Sequence, residues 1–136
     1  MNKINVVSTP SAPAAAGPYS QALKVNGFIF CSGQIGIDPN TSELVKGIEK
    51  QTLQTLKNLK EVVKTSGSDF NHVLKTTIYL SDMKNYSLVN QIYGEFFKDH
   101  KPARVTVEVS RLPKDCLIEI DAIATVSFLR RRESNR

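Results

Sequence analysis

The sequence contains few cysteines and histidines. Its two cysteines, Cys31 and Cys116, lie far apart and lack the CxxC or Cys/His spacing of zinc and redox sites. We therefore expect reduced structural thiols, which are typical of a cytosolic protein. His72 and His100 are equally isolated in the sequence, so it predicts no metal site.

Long hydrophobic runs are also missing. A membrane helix is indicated by about 18 consecutive apolar residues, and the sequence has no run of that length. Residues 1–16 contain one lysine and no apolar segment like that of a secretory signal. The sequence therefore predicts a protein with no membrane contact, located in the cytoplasm, although it leaves a mitochondrial location open.

The positive charge is concentrated at one end. The formal net charge is +5, and the four arginines and one glutamate of residues 129–136 supply +3 of it (4 − 1), leaving +2 for the rest. Such a tail is usually solvated, so it is weak support for nucleic-acid binding. A chain of 136 residues is the size of one domain. We predict a single domain over 1–128 and a basic tail over 129–136.

Hydrophobic periodicity predicts the elements of the first hundred residues. Apolar residues at helical spacing predict one helix over about 46–66, closed by Gly67, and a second from Ser81-Asp82 to a stop at Pro102. Strand patterns predict a hairpin of residues 22–25 and 28–32 around the turn Asn26-Gly27, and a further strand over 73–80.

Two more strand patterns, at residues 102–109 and 117–124, are separated by a short polar turn and predict a second hairpin. Side chains alternate across a strand, so one face of this hairpin is apolar and is predicted to be core. Its other face would bring Arg104, Thr106 and Glu108 together with Glu119 and Asp121. Such a face is commonly solvated, but an arginine there is suited to binding a carboxylate or a phosphate.

The order of these elements predicts an α+β fold. We expect a two-layer sandwich in which both helices cover one face of a mixed β-sheet. The second face would be bare and would carry Tyr79, Leu117 and Ile123 beside charged residues. Association between copies of the chain is an economical way to cover such a face.

Several sequence motifs resemble those of the RidA family, also called YjgF or L-PSP. The resemblance extends over nearly the whole chain, and its most specific part is the pair Pro102-Ala103-Arg104 and Ile118-Glu119-Ile120 with the spacing between them. The other matching motifs are Gly17-Pro18-Tyr19-Ser20-Gln21-Ala22, Ser32-Gly33-Gln34-Ile35-Gly36, Asn90 and Tyr93-Gly94-Glu95-Phe96-Phe97.

This resemblance implies a chorismate-mutase-like fold assembled as a homotrimer, with three clefts between subunits. It also implies an enzyme that hydrolyses reactive enamines and imines, such as 2-iminobutanoate and 2-iminopropanoate, to 2-oxo acids and ammonia. Its ligands would be small 2-imino and 2-oxo acids. Such a reaction requires no metal and no organic cofactor.

The resemblance also implies roles for particular residues. Arg104 would bind the substrate carboxylate, Glu119 would position the water, and Tyr19 would be the tyrosine of the cleft. We therefore expect three catalytic residues, namely Arg104, Glu119 and Tyr19.

Four further residues are implied to bind substrate. Ser32 and Gly33 would supply hydrogen-bond donors, and Asn90 would line the pocket. Thr106 stands where many members of the family carry cysteine, which excludes a mechanism that depends on cysteine at that position. Asp121 stands where many carry glutamate, which we interpret as a change at the rim of the site.

Each role has a structural alternative. Tyr19 would then anchor the preceding Pro- and Ala-rich segment, Ser32 would satisfy a backbone group, and Glu119 would form an ion pair with Arg104.

Two functional alternatives also remain open. The first is cleavage of single-stranded RNA, which the name L-PSP suggests, but His72 and His100 lie in unrelated segments and make a poor acid and base pair. The second is a regulator that binds small carboxylates without converting them.

Overall fold

The fold is an α+β sandwich, described by a computed structural model of residues 3–127. The predicted basic tail over 129–136 and its boundary with the domain lie outside the described residues. Within them the elements are, in chain order, β1 (Asn5–Val7), β2 (Ala22–Val25), β3 (Phe28–Gln34), β4 (Ile37–Asp38), β5 (Glu43–Leu44), α1 (Ile48–Thr65), β6 (Val73–Leu80), α2 (Tyr86–Phe97), β7 (Ala103–Glu108) and β8 (Ile118–Thr125).

Six of these strands form a mixed sheet in the order β1-β2-β3-β8-β6-β7. Only the β6–β7 pair is parallel, and α2 makes the crossover between these two strands. Strands β4 and β5 form a separate small hairpin. The two-layer α+β prediction with a mixed sheet is therefore confirmed.

Helix α1 and the β2–β3 hairpin agree with the sequence pattern. Helix α1 begins after Gly47, ends before the positive-φ Gly67, and buries Leu56, Leu59, Val62 and Val63 completely. Asn26 and Gly27 both have positive φ, which a tight two-residue hairpin turn requires.

Helix α2 packs beside α1 and closes one end of the core. The Asp82 side chain accepts a hydrogen bond from the Lys84 backbone N–H at 2.9 Å and starts a single 3-10 turn before the helix. At the other end of α2, the Phe97 ring stacks on Phe70 with 4.4 Å between ring centroids. The fully buried residues of β6 and β8, among them Ile78, Ile118 and Ile120, lie under the two helices.

The predicted hairpin of the last two strands is wrong in its pairing. Both strands exist, but β7 pairs with β6, and β8 lies between β3 and β6. Ile118, Ile120, Ala122 and Ala124 of β8 are at most 2% exposed, so this strand belongs at the buried centre of the sheet. The α2 crossover places β7 at the edge instead.

The predicted faces of β7 are also reversed. Val105 and Val107 were expected in the core, but they are 43% and 36% exposed on the sheet face that carries no helix. Arg104 and Thr106 point to the helix side, because their ladder partners Thr76 and Ile78 are buried there. The polar face that would have joined Arg104 to Glu119 does not exist within one chain.

Gln21 fixes the segment that precedes the first hairpin. Its side-chain amide donates hydrogen bonds to the carbonyls of Thr9 (3.1 Å), Ala12 (3.4 Å) and Pro13 (2.7 Å), and its oxygen accepts one from the Thr9 N–H (2.7 Å). The Gln21 side chain is nearly inaccessible to solvent. One buried amide therefore satisfies backbone groups that the sheet does not pair.

Replacing Gln21 with leucine is expected to release residues 9–13 from their contacts with the residue at position 21. The change removes four hydrogen bonds to backbone groups and should cost about 3–4 kcal/mol of unfolding free energy, at about 1 kcal/mol per net hydrogen bond. Urea unfolding and amide hydrogen exchange would measure it. Gln91→Leu on the exposed side of α2 is the control, and unchanged exchange in residues 9–13 of Gln21→Leu would contradict the prediction.

Both cysteines are free and buried. Burial raises the pKa of the Cys31 thiol to about 12 and that of Cys116 to about 11, with a smaller contribution at Cys31 from the Asp121 charge. Both thiols are therefore neutral near pH 7, as expected for structural cysteines. No helix in residues 3–127 has the length and apolar character needed to span a membrane.

Candidate functional site

Arg104 lies on the edge strand β7, facing α2. Its Nη2 donates a hydrogen bond to the Tyr86 hydroxyl at 3.3 Å, and its guanidinium carbon lies 5.1 Å from the centre of the Tyr93 ring. None of the ion pairs formed within residues 3–127 includes Arg104. Most of the guanidinium donors are thus available to an external acceptor.

Two tyrosines of α2 determine where this guanidinium lies. The Tyr93 hydroxyl shares a buried 2.7 Å hydrogen bond with Thr76 Oγ1, which fixes the ring under Arg104. Tyr86 is seven residues earlier on the helix and therefore lies on the same face. No site role was predicted for either tyrosine, although their helical spacing to Asn90 was a signal that could have identified them.

Asn90 and Thr106 lie on the same side of the sheet as Arg104. Asn90 lines a pocket of about 310 Å³ together with Tyr93 and Arg104. Asn90 Oδ1 and Thr106 Oγ1 are both buried and have no hydrogen-bond partner. We call Arg104, Tyr86, Tyr93, Asn90 and Thr106 the arginine group.

Glu119 lies on β8 and points to the opposite face, which carries no helix. Its carboxyl group lies against Gly33, where a Cβ would approach Glu119 Cδ to 2.8 Å, so a side chain at this position would displace the carboxyl group. Burial raises the pKa of Glu119, and the neighbouring Asp121 charge raises it further. Asp121 in turn accepts a hydrogen bond from the Tyr79 hydroxyl at 3.1 Å.

Ser32 precedes Gly33 on β3, and Tyr19 lies in the segment before β2. Both residues line a surface pocket of about 430 Å³. Ser32 Oγ donates a hydrogen bond to the Ser20 carbonyl at 2.6 Å, as the structural alternative for Ser32 proposes, so its oxygen is left as an acceptor. The Tyr19 hydroxyl accepts the Ala16 N–H at 3.2 Å and keeps its own proton to donate. We call Glu119, Gly33, Ser32 and Tyr19 the glutamate group.

The structure thus divides the predicted site residues between two groups. The arginine group lies between β7 and α2, and the glutamate group lies on the face of the sheet without helices. Glu119 and Arg104 form no ion pair within residues 3–127, so the structural alternative that joined them in one chain is wrong. One chain alone does not place Arg104 opposite Glu119.

The two histidines do not form an acid and base pair. His72 Nδ1 lies 2.9 Å from Asp69 Oδ1, and His100 Nε2 lies 2.7 Å from the Val73 carbonyl oxygen. Residues 3–127 contain no group of three or more histidine, cysteine or acidic side chains that is placed to bind a metal ion.

Known proteins are similar to this chain in sequence. The family described as endoribonuclease L-PSP matches residues 9–126. A RutC family protein of Pyrococcus horikoshii is 54% identical over 120 residues, which is 88% of this chain and 95% of that protein. The human 2-iminobutanoate/2-iminopropanoate deaminase is 48% identical over 120 residues, 88% of either chain.

A solved structure agrees with these sequence matches. The crystal structure of E. coli TdcF with bound serine superimposes with a TM-score of 0.87 at 36% identity, covering 90% of this chain and 99% of that one. The family match over residues 9–126 contains both the arginine group and the glutamate group.

Proposed function

Because the chain belongs to the endoribonuclease L-PSP family, also called RidA or YjgF, we propose that it is a hydrolytic deaminase of reactive 2-imino acids. Its substrates are 2-iminobutanoate and 2-iminopropanoate, and its products are the 2-oxo acids and ammonia. The single observation that carries the proposal is the free guanidinium of Arg104, which two tyrosines hold in place without any carboxylate partner in residues 3–127.

Arg104 binds the substrate carboxylate. Its planar guanidinium presents two parallel N–H donors, which match the two oxygens of a carboxylate. The serine bound to TdcF also carries a carboxylate, which is consistent with this role. Binding through Arg104 holds the C=N carbon at a fixed distance from the guanidinium.

Glu119 activates the water. As a carboxylate it accepts a proton from a water molecule, whose oxygen then forms a bond to the C=N carbon while the nitrogen takes up a proton. Glu119 passes the proton of the water on to the nitrogen, and it then moves the hydroxyl proton of the resulting carbinolamine to the nitrogen as the C–N bond breaks. Ammonia leaves, the carbonyl of the 2-oxo acid forms, and Glu119 is again a carboxylate. The partly buried position of Glu119 against Gly33 supports this role, because a carboxylate with a raised pKa is a stronger base.

Polar groups around Gly33 form hydrogen bonds with the leaving nitrogen. Gly33 lies where the β3–β8 register shifts between Cys31 and Gln34, and residues in such an irregularity do not pair in the ladder. Its N–H and the Tyr19 hydroxyl are therefore suited to donate hydrogen bonds, while the Ser32 oxygen is suited to accept one. No metal or organic cofactor takes part in these steps.

The proposed activity is tested by measuring 2-oxo acid release from an imine that an amino acid oxidase generates in the same vessel. Semicarbazide competes for the imine, so an active protein lowers the semicarbazone yield. Imines hydrolyse slowly in water, so an acceleration of a few kcal/mol, at ~1.4 kcal/mol per tenfold, is sufficient. Cleavage of single-stranded RNA in metal-free buffer, without imine hydrolysis, would support the alternative function instead.

Replacing Asp121 with asparagine is expected to move the acid limb of the kcat/KM profile to lower pH. Glu119 must be ionised to act as a base, so activity rises with pH through its raised pKa. Removing the Asp121 charge lowers that pKa, although burial still holds it above its ordinary value. The measurement is the pH profile of 2-iminobutanoate hydrolysis.

The control for this prediction is Glu43→Gln, which removes an exposed carboxylate on β5. It should leave the acid limb where it is in the parent protein. An unchanged acid limb in Asp121→Asn would mean that Glu119 is not the group that titrates.

The proposed catalytic site is completed by assembly into a homotrimer. The sheet face without helices carries six large apolar side chains that are 36% to 69% exposed: Val6, Leu23, Phe28, Phe30, Val105 and Val107. Leaving them in water is unfavourable at about 25 cal/mol per Å². A neighbouring subunit would cover them and bring its arginine group to the glutamate group on this face. Light scattering should therefore give three times the 15.1 kDa chain mass.

A cleft between subunits predicts that two inactive variants restore activity when mixed. Arg104→Ala keeps Glu119, and Glu119→Gln keeps Arg104, so some clefts in mixed trimers contain both intact residues. If each cleft takes these residues from different copies, unfolding and refolding an equal mixture should restore about a quarter of parent activity. The measurement is imine hydrolysis by the refolded mixture.

Each variant refolded alone is the control and should stay inactive. Failure of the mixture to recover activity, although mass spectrometry detects mixed trimers, would place both residues in the same subunit and contradict the predicted cleft.

A further inference from the structure

The pocket beside Arg104 carries more positive charge than one carboxylate requires. Its lining includes Lys98, His100, Lys101 and Arg104, and it includes no aspartate or glutamate. The acidic neighbours along the chain, Glu95 and Asp99, do not line it. None of the ion pairs within residues 3–127 uses any of these four basic side chains.

The segment that carries these charges is held in place by two hydrogen bonds. The Lys98 N–H donates to the Gly94 carbonyl at 2.9 Å, where the backbone leaves α2 with a φ of 63°. His100 Nε2 lies 2.7 Å from the Val73 carbonyl oxygen, so its N–H donates a hydrogen bond to this carbonyl of β6. Lys98 and Lys101 therefore extend from an anchored connection, which limits the ordering cost of binding an anion.

The wall of the pocket is aromatic. Tyr93 and Phe97 line it, and their rings are in contact, with 4.7 Å between centroids. Phe97 also stacks on Phe70, so this wall belongs to the core and is rigid. It suits the methylene groups of a short chain that has a charged group at each end.

The geometry points to a second anion-binding position formed by Lys98 and Lys101, which makes 2-imino dicarboxylates, the imines of acidic amino acids, preferred ligands of this site. The inference rests on the proposed function, because Arg104 binds the carboxylate next to the imine carbon. The lysine ammonium groups then bind the distal carboxylate as point charges. The apolar stem between the two carboxylates lies along Tyr93 and Phe97.

Calorimetric binding of two stable product-like ligands tests the inference without turnover. At fixed ionic strength, 2-oxoglutarate should bind the assembled protein about tenfold more tightly than 2-oxobutyrate. In the double variant Lys98→Gln and Lys101→Gln, this preference should disappear, while 2-oxobutyrate affinity changes less than about twofold. The single variant Lys101→Gln should lose part of the preference for 2-oxoglutarate. It replaces the double variant in the test if the double variant does not fold.

A matched control separates local binding from general attraction of anions. Lys50→Gln combined with Lys57→Gln removes two exposed lysines of α1 and the same total charge. It should keep the full preference for 2-oxoglutarate. Loss of the preference in this control would overturn the inference, because the lysines would then act only through net charge.

Two further outcomes would overturn the inference. One is equal affinity of the parent protein for both oxo acids. The other is inorganic phosphate that binds as tightly as 2-oxoglutarate without displacing 2-oxobutyrate, which would indicate a separate anion site. Imine hydrolysis is measured independently, so a protein that hydrolyses 2-iminobutanoate without any dicarboxylate preference refutes only this inference. A dicarboxylate preference without hydrolysis refutes only the proposed function.

Discussion

Replacing Arg104 with alanine is expected to reduce kcat/KM for 2-iminobutanoate by about 1,000-fold, which is ~4 kcal/mol of transition-state stabilisation. The guanidinium is the one group proposed to hold the substrate carboxylate, and its donors are not engaged by any acid in residues 3–127. Arg104→Lys keeps the charge but loses the two parallel donors, so it should retain only about 1–10% of the parent kcat/KM. The semicarbazide competition assay measures both variants.

Arg111→Ala is the matched control for this prediction. Arg111 is exposed, pairs with Asp115 at 2.7 Å and does not line the pocket beside Arg104, so its loss should leave turnover unchanged. Arg104 supports no ion pair in the described part of the chain, and we expect its removal to change the unfolding free energy by less than about 1 kcal/mol. A correctly assembled Arg104→Ala protein that hydrolyses imine at the parent rate would contradict the carboxylate-binding role.

The sequence predicted the elements of this fold better than their arrangement. Local signals predicted a helix over about 46–66, where the structure has α1 over Ile48–Thr65, and they located the Asn26-Gly27 turn between β2 and β3. They did not indicate the short strands β1, β4 and β5, which have two or three residues each. Elements this short form because of the strands beside them, which a local pattern does not describe.

The wrong pairing of β7 has a physical cause. Alternation along a strand specifies which residues share a face, but it does not specify the neighbouring strand or which face is buried. The Val105 and Val107 pattern therefore fitted a core face, yet these valines lie on the open face, and α2 presents Tyr86 and Tyr93 to Arg104. The separation of Arg104 from Glu119 depends on this long-range arrangement.

The sequence also predicted some of the candidate site residues and missed others. Sequence motifs predicted Arg104, Glu119 and Gly33 as site residues, and the structure gives a physical reason for glycine at position 33, because a side chain there would displace the Glu119 carboxyl group. The tyrosines that hold Arg104 lie on α2 and contact it only after the crossover folds back on β6. Their role depends on a contact between elements, so a single motif does not contain it.

Replacing Glu119 with glutamine is expected to separate binding from chemistry. Glutamine keeps the shape that fits against Gly33 but accepts no proton from water, so kcat for 2-iminobutanoate should fall by about 100-fold to 10,000-fold. The carboxylate-binding guanidinium is untouched, and the affinity for 2-oxobutyrate should change less than about threefold. Single-turnover kinetics and calorimetry measure the two quantities.

This variant should also remain folded, and its pH dependence supplies an independent check. The folded-state pKa of Glu119 is raised by burial and by Asp121, so its ionisation lowers stability as the pH rises through that pKa. Glutamine does not ionise, so Glu119→Gln should be at least as stable as the parent protein at pH 7. At a pH well below the ordinary pKa of a glutamate, Glu119 is protonated in both the folded and the unfolded protein, and the variant should have no stability advantage. Urea unfolding at both pH values measures this difference.

A Glu119→Gln variant that hydrolyses imine at the parent rate would show that Glu119 is not the base. A parent protein that binds 2-oxobutyrate but hydrolyses no imine would instead indicate a regulator that binds small carboxylates.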